Sequence, residues 1–123
     1  MTPPRILLVE DNELGRDMLS RRLDRAGYEV ITAADGESAL GMMREQQPAL
    51  VLMDMSLPVM DGWSACRSAR SGPETLQIPI IALTAHAMAN DRQSALAAGC
   101  DDFATKPVDF PQLLEKIRTL LPT

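Results

Sequence analysis

The chain has 123 residues, enough for one domain with a single good core, and its 46 % apolar and 24 % charged residues are ordinary for a globular protein. Its net charge of -5 repels phosphate backbones, so direct DNA binding is not expected. No apolar run approaches the length of a membrane span, and Met1-Thr2-Pro3-Pro4-Arg5 lacks a signal-peptide stretch, so the expectation is a cytoplasmic protein with no membrane contact.

Five apolar runs alternate with five helix-like stretches. The first run, Ile6-Leu7-Leu8-Val9, is continuously hydrophobic. A first helix follows, with Leu14, Met18, Leu19, Leu23 and Ala26 as its apolar positions and Gly27 as its stop; either Asp11 or Asn12 would cap it. The second run, Glu29–Ala33, is mixed, as in a more exposed strand. Asp35-Gly36 then turns into a helix built on Ala39, Leu40 and Met43, which ends before Pro48. The third run, Leu50-Val51-Leu52-Met53, leads to Asp54, and a third helix starts after Asp61-Gly62. The fourth run is Ile78–Leu83. Its helix closes with Ala97-Ala98-Gly99. The fifth run is Asp102–Thr105. The last helix has Asp109 as cap, Pro111 in its first turn, and Phe110, Leu113, Leu114, Ile117, Leu120 and Leu121 on one face.

Runs one, three and four read as strands covered on both faces, as in a parallel sheet. Strand–helix alternation with short connections predicts an α/β fold with right-handed crossovers. No repeat, linker or low-complexity segment interrupts it. The chain is therefore read as one domain, 1–123, with no DNA-binding or enzymatic output segment after the fifth helix. Cys66 and Cys100 have no metal-site spacing and are expected to be reduced, small apolar residues. Trp63 and Met60 are expected to pack around the start of the third helix, and Met88 with Ala87 and Ala89 to form a core or small contact patch.

Ligands of an open α/β sheet sit beyond the carboxyl ends of its strands. There the chain places Glu10-Asp11-Asn12, Asp54, Thr84 and Lys106-Pro107. Asp54 directly follows four hydrophobes, and Asp61 already supplies the next cap. If the first and third strands are neighbours, Glu10, Asp11 and Asp54 converge. At about 5 Å and an effective dielectric near 20, each pair repels by roughly 3 kcal/mol before screening. A hard divalent cation such as Mg²⁺ would relieve this repulsion. Lys106 adds a compact positive charge that suits a phosphate, and Thr84 a hydroxyl donor. Together these groups suit phosphoryl transfer, with an ionised Asp54 as acceptor of an aspartyl phosphate.

In the segments ILLVEDNE, LVLMDMSLPVMDGW, IPIIALTAHA and AGCDDFATKP, the sequence resembles the receiver domain of two-component response regulators from end to end. The resemblance implies a (βα)5 flavodoxin-like, doubly wound parallel sheet of strand order 2-1-3-4-5. It implies that Asp54 takes a phosphoryl group from a phosphohistidine on a sensor histidine kinase or histidine phosphotransfer protein. Glu10 and Asp11 would help hold Mg²⁺, with the backbone carbonyl of Ser56 as a further ligand. Thr84 and Lys106 would contact the phosphoryl group, and Lys106-Pro107 would be cis. Thr84 and Phe103 would be the switch pair, altering the surface of the fourth helix, fifth strand and fifth helix for a downstream protein target. Phe103 stands where Tyr is more familiar, and reads equally as a core aromatic. Ser56 and His86 lie where the family tunes the phosphoryl lifetime, although His86 also reads as a plain loop residue.

Three rivals can be told apart. An FMN-binding flavodoxin-like protein needs a Gly/Ser/Thr-rich phosphate loop after the first strand, where Glu10-Asp11 would repel the ligand. A haloacid-dehalogenase-like phosphatase carries Asp-x-Asp after its first strand, whereas Met55-Ser56 follows Asp54 here. A degenerate receiver that only binds partners would lack some of the five signature residues, and Glu10, Asp11, Asp54, Thr84 and Lys106 are all present. The expectation is a phosphoacceptor switch with slow self-dephosphorylation, not a turnover enzyme. It fits a stand-alone regulator and a module of a hybrid kinase alike.

Overall fold

The computed structural model describes residues 3–55, 57, 61–85, 93 and 96–121. Among these, five parallel strands form one sheet in the order β2-β1-β3-β4-β5, the order the family resemblance implies. The strands are β1 (Arg5–Val9), β2 (Glu29–Ala33), β3 (Leu50–Asp54), β4 (Ile80–Thr84) and β5 (Asp102–Thr105). Helices α1 (Glu13–Arg25), α2 (Gly36–Gln46) and α3 (Gly62–Ser71), and a C-terminal helix (Phe110–Leu120), cover the sheet. Most of the stretch expected to form the fourth helix lies outside the described residues; Gln93, Leu96 and Ala97 within it are helical.

Side chains alternate across a strand, and that parity divides the core in two. Leu7, Val9, Val51, Met53, Ile80 and Ala82 face α2 and α3, where they meet Ala39, Leu40, Met43, Ala65, Cys66 and Ala69. Ile6, Leu8, Leu50, Leu52, Ile81, Leu83 and Ala104 face the other way, against Leu23 of α1 and Leu113 and Ile117 of the C-terminal helix. This is why Ile6–Val9 of β1, Leu50–Met53 of β3 and Ile80–Leu83 of β4 are continuously apolar, while β2, on the sheet edge, is mixed.

Capping follows the sequence closely. Asn12, Asp35, Asp61 and Asp109 each accept a backbone N–H three residues on. Asn12 thus takes the capping role that the sequence left open between it and Asp11. Gly27, at φ 99°, ends α1 in the left-handed conformation.

Two expectations need correction. The fourth strand begins at Ile80, not Ile78: Pro79 has no N–H to offer, and only its carbonyl is used, accepting from Val51 N at 2.9 Å. On α1, Leu14 and Met18 are 69 % and 53 % exposed, and Ala26 at the C-cap is exposed as well. The helix meets the sheet along the single i, i+4 line Leu19–Leu23, which leaves Leu14 and Met18 on an adjoining face. Trp63 packs against the α2/α3 side, as expected.

Candidate functional site

The same parity builds a row of polar side chains at the carboxyl edge of the sheet. In the parallel register Leu8 stands beside Leu52, Asp54 beside Leu83, and Leu83 beside Ala104. One alternation beyond Leu8, Leu52 and Ala104 come Glu10, Asp54 and Lys106. All three therefore leave the sheet on the face that carries α1 and the C-terminal helix. The backbone fixes their heights: Glu10 N donates to Ala33 O at 3.0 Å, Met55 N to Leu83 O at 3.0 Å, and Lys106 N to Thr84 O at 2.8 Å.

Lys106 Nζ sits between the two carboxylates, 3.0 Å from Asp54 Oδ2 and 3.1 and 3.3 Å from the two Glu10 oxygens. The Asp54 side chain is 5 % exposed and that of Glu10 12 %. Asp11 is exposed, yet one carboxylate oxygen each from Glu10, Asp11 and Asp54 lie within 4.8 Å of one another. Burial, followed by hydrogen bonding to Asp54 and opposed by Lys106, pushes the Glu10 carboxyl up to about 7. For Lys106 burial pulls the other way, but its hydrogen bonds to Asp54 and Glu10 prevail and hold the ammonium above its ordinary value.

The donor set is all oxygen, anionic and clustered, with one member open to solvent. That chemistry fits a hard dication, which would share Glu10, Asp11 and Asp54 and keep some of its own water.

Thr84, 4 % exposed, ends β4 on the opposite parity. Phe103 shares that parity; it is half-buried and packs against the α2/α3 cluster. Lys116 lies with Nζ 5.1 Å from the Phe103 ring centroid and donates to the Phe103 carbonyl. The Lys106-Pro107 bond is cis. Ser56 and His86 lie outside the described residues, as do Met60, Ala87, Met88 and Ala89.

Three residues shape the site that the sequence alone did not single out. Arg16 donates from Nη1 to the Glu10 carbonyl at 2.9 Å, anchoring the acidic turn to α1. At Gly15 a Cβ would stand 3.1 Å from Glu10 Oε1. At Gly62 a Cβ would stand 2.4 Å from the Asp54 carbonyl oxygen and 2.7 Å from Met55 Cα. Asp61-Gly62 looks like any helix start; only the folded chain reveals that this glycine lets α3 begin against the end of β3.

Residues 6–118 match the family model described as response regulator receiver domain. The chain is 35 % identical over 119 residues to the polar-differentiation response regulator DivK of Brucella anthropi, covering 97 % of each. It is 36 % identical over 118 residues to RpaA of Synechocystis, described as a DNA-binding dual master transcriptional regulator, and there it spans 49 % of the relative's length. The charge argument against DNA binding therefore concerns these 123 residues alone. Among solved structures, the receiver domain of a sensor histidine kinase from Pseudomonas aeruginosa PAO1, with a magnesium ion coordinated in its active site cleft, superposes with a TM-score of 0.89. It is 38 % identical and covers 96 % of this chain and 97 % of that one. Among the described residues, no helix is long and apolar enough to cross a membrane.

Proposed function

The chain belongs to the response regulator receiver domain family, phosphoacceptor switches that work between histidine kinases and downstream targets, and from that premise we propose that it accepts a phosphoryl group on Asp54 in a Mg²⁺-dependent step. The observation that carries the proposal is the placement of Lys106 Nζ between Asp54 and Glu10, within a group of three carboxylates. We read residues 1–123 as one such domain, acting in the cytoplasm.

The donor is a phosphohistidine of a sensor kinase or histidine phosphotransfer protein. An Asp54 carboxylate oxygen forms the new bond to phosphorus, the P–N bond breaks, and its electron pair stays on the departing imidazole. Glu10, Asp11 and Asp54 would hold Mg²⁺, with the Ser56 carbonyl as a further ligand; when bound, the ion offsets the charge of the carboxylates and of the phosphoryl oxygens. Lys106 already lies 3.0 Å from the accepting carboxylate. Its ammonium turns from Glu10 and Asp54 toward a phosphoryl oxygen, and the Thr84 hydroxyl donates to another. Ser56 and His86 tune how fast water reaches the acyl phosphate. Hydrolysis is slow self-dephosphorylation, not turnover.

The new charge biases a two-state element. Thr84 moves toward the phosphoryl group, Phe103 follows it inward, and the surface of the fourth helix, β5 and the C-terminal helix changes for a downstream protein target.

Incubation with Mg²⁺ and phosphoramidate, read by intact mass, tests the central step. The expected gain is one phosphoryl group, about 80 Da, absent in Asp54→Asn. Folded protein that gains no mass, or that steadily hydrolyses phosphate esters, overturns the proposal.

A further inference from the structure

Cys66 and Cys100 take no part in the site described above, and the sequence reads each as a separate small apolar residue. The fold brings them together. Cys66 lies on α3, and Cys100 on the connection entering β5, 34 positions later. Their Sγ atoms are 3.2 Å apart, both residues are free thiols, and they are 0 % and 5 % exposed. A disulfide needs a sulfur separation of about 2.05 Å, so a closure of about 1.2 Å separates the observed pair from a bond. We propose that Cys66 and Cys100 form a redox-active dithiol, a modification site that closes to an intramolecular disulfide on exposure to a peroxide.

The hydrogen bond shared by the two thiols, opposed by burial and helped by Arg70, holds the Cys66 thiol below its ordinary value; the same hydrogen bond and burial push Cys100 up. Arg70 is one turn further along α3. It is pinned by hydrogen bonds to the carbonyls of Gly99, Leu76 and Ile78 and by an ion pair with Asp101.

Either thiol can open the reaction, and the product is the same. With Cys66 first, its sulfur attacks one peroxide oxygen, the O–O bond breaks, and hydroxide leaves to become water with the thiol proton, giving a sulfenic acid. The Cys100 sulfur then attacks the Cys66 sulfur, the S–O bond breaks, and the hydroxyl departs as water with the Cys100 proton. In sum, two thiols and one hydrogen peroxide give a disulfide and two waters. The sulfurs lose two electrons and the peroxide oxygens gain them. Cys66 has no exposed surface, so peroxide reaches it when the contact between α3 and the chain entering β5 opens locally. Because the second thiol is already in contact, the sulfenic acid is captured before it oxidises further. The bridge would tie α3 to the chain entering β5, and its formation is independent of whether Asp54 accepts phosphate.

The test uses the folded full chain with graded hydrogen peroxide, followed by denaturation, alkylation of remaining thiols and intact mass. Expected is a loss of about 2 Da, two alkylatable thiols falling to none, a 66–100 cross-linked peptide, and full reversal by a thiol reductant. Cys66→Ala and Cys100→Ala should each abolish the loss of two hydrogens, while their far-ultraviolet dichroism reports that they fold. Two thiols still alkylatable after treatment, added oxygen atoms in place of the hydrogen loss, or disulfide-linked dimers would each overturn the proposal.

Discussion

Lys106→Met removes the ammonium and keeps most of the side-chain stem, so it measures what holds the acidic residues together. Nζ lies 3.0 Å from Asp54 Oδ2 and 3.1 Å from Glu10 Oε1. At an effective dielectric near 20, each contact is worth about 5 kcal/mol gross. The net is far smaller, because the Lys106 side chain keeps 31 % of its exposure and loses hydration where it is buried. A loss of about 2 kcal/mol is expected at about pH 6, below the range for breaking a fully buried pair.

The pH dependence makes this expectation specific. Glu10 in the native protein titrates at about 7. Below that value Glu10 carries a proton in both proteins, so the loss comes mainly from Asp54. Above it, the native protein releases the proton, while the variant, lacking the ammonium, retains it. The penalty then grows by up to about 1.4 kcal/mol per pH unit, reaching about 4 kcal/mol near pH 8.5. Urea unfolding in metal-free buffer at both pH values measures it, and melting should track it at roughly 4 °C per kcal/mol for a chain of this size. A penalty that stays flat, or shrinks, between pH 6 and about 8.5 would refute the claim that Lys106 offsets a titrating Glu10.

Other expected outcomes follow from the same geometry. The raised Glu10 value means that the folded protein binds this proton more tightly than the unfolded chain, whose ordinary value is 4.5. The stabilisation is full below that value and lost as pH rises through about 7, so metal-free native protein should weaken across the window relative to Glu10→Gln; parallel urea midpoints in the two proteins would contradict it. Mg²⁺ should raise the melting temperature, and Asp11→Asn should blunt that rise; an equal rise in both places the ion elsewhere. Gly62→Ala, at the first position of α3, gains less than the about 1 kcal/mol of helix propensity of an interior site and sets a methyl against the backbone of Asp54 and Met55. A net loss of about 2 kcal/mol or more is expected in urea unfolding, and a neutral result would show that α3 can retreat without effect.

The strands, caps and carboxyl-edge residues were legible in the sequence because each is a local signal. A continuous apolar run means burial on both faces, and an Asp or Asn before a helix means a cap. The identity of the cap for α1 was not legible, since Asp11 and Asn12 are equally suited; the fold uses Asn12 and leaves Asp11 near Glu10 and Asp54. The exposure of Leu14 and Met18 was hidden because periodicity defines a face but not how wide a strip the sheet covers. The Cys66–Cys100 contact and the close approach at Gly62 depend on how α3 lies against the sheet, which no spacing encodes.

The charge cluster itself lies between these cases. Glu10 and Lys106 meet across 96 positions, so no local pattern links them. Yet once β1, β3 and β5 are aligned in parallel, strand alternation decides the rest. Glu10 follows Leu8 by two positions, Asp54 follows Leu52 by two, and Lys106 follows Ala104 by two, with Leu8, Leu52 and Ala104 in the same cluster. A slip of one residue in any of these strands would send its charged side chain to the α2/α3 face and its apolar neighbours into the opposite layer. The hydrophobic core and the acidic site are thus held by the same register, and burial of the core residues keeps the carboxylates and the ammonium in contact despite the repulsion among the acids.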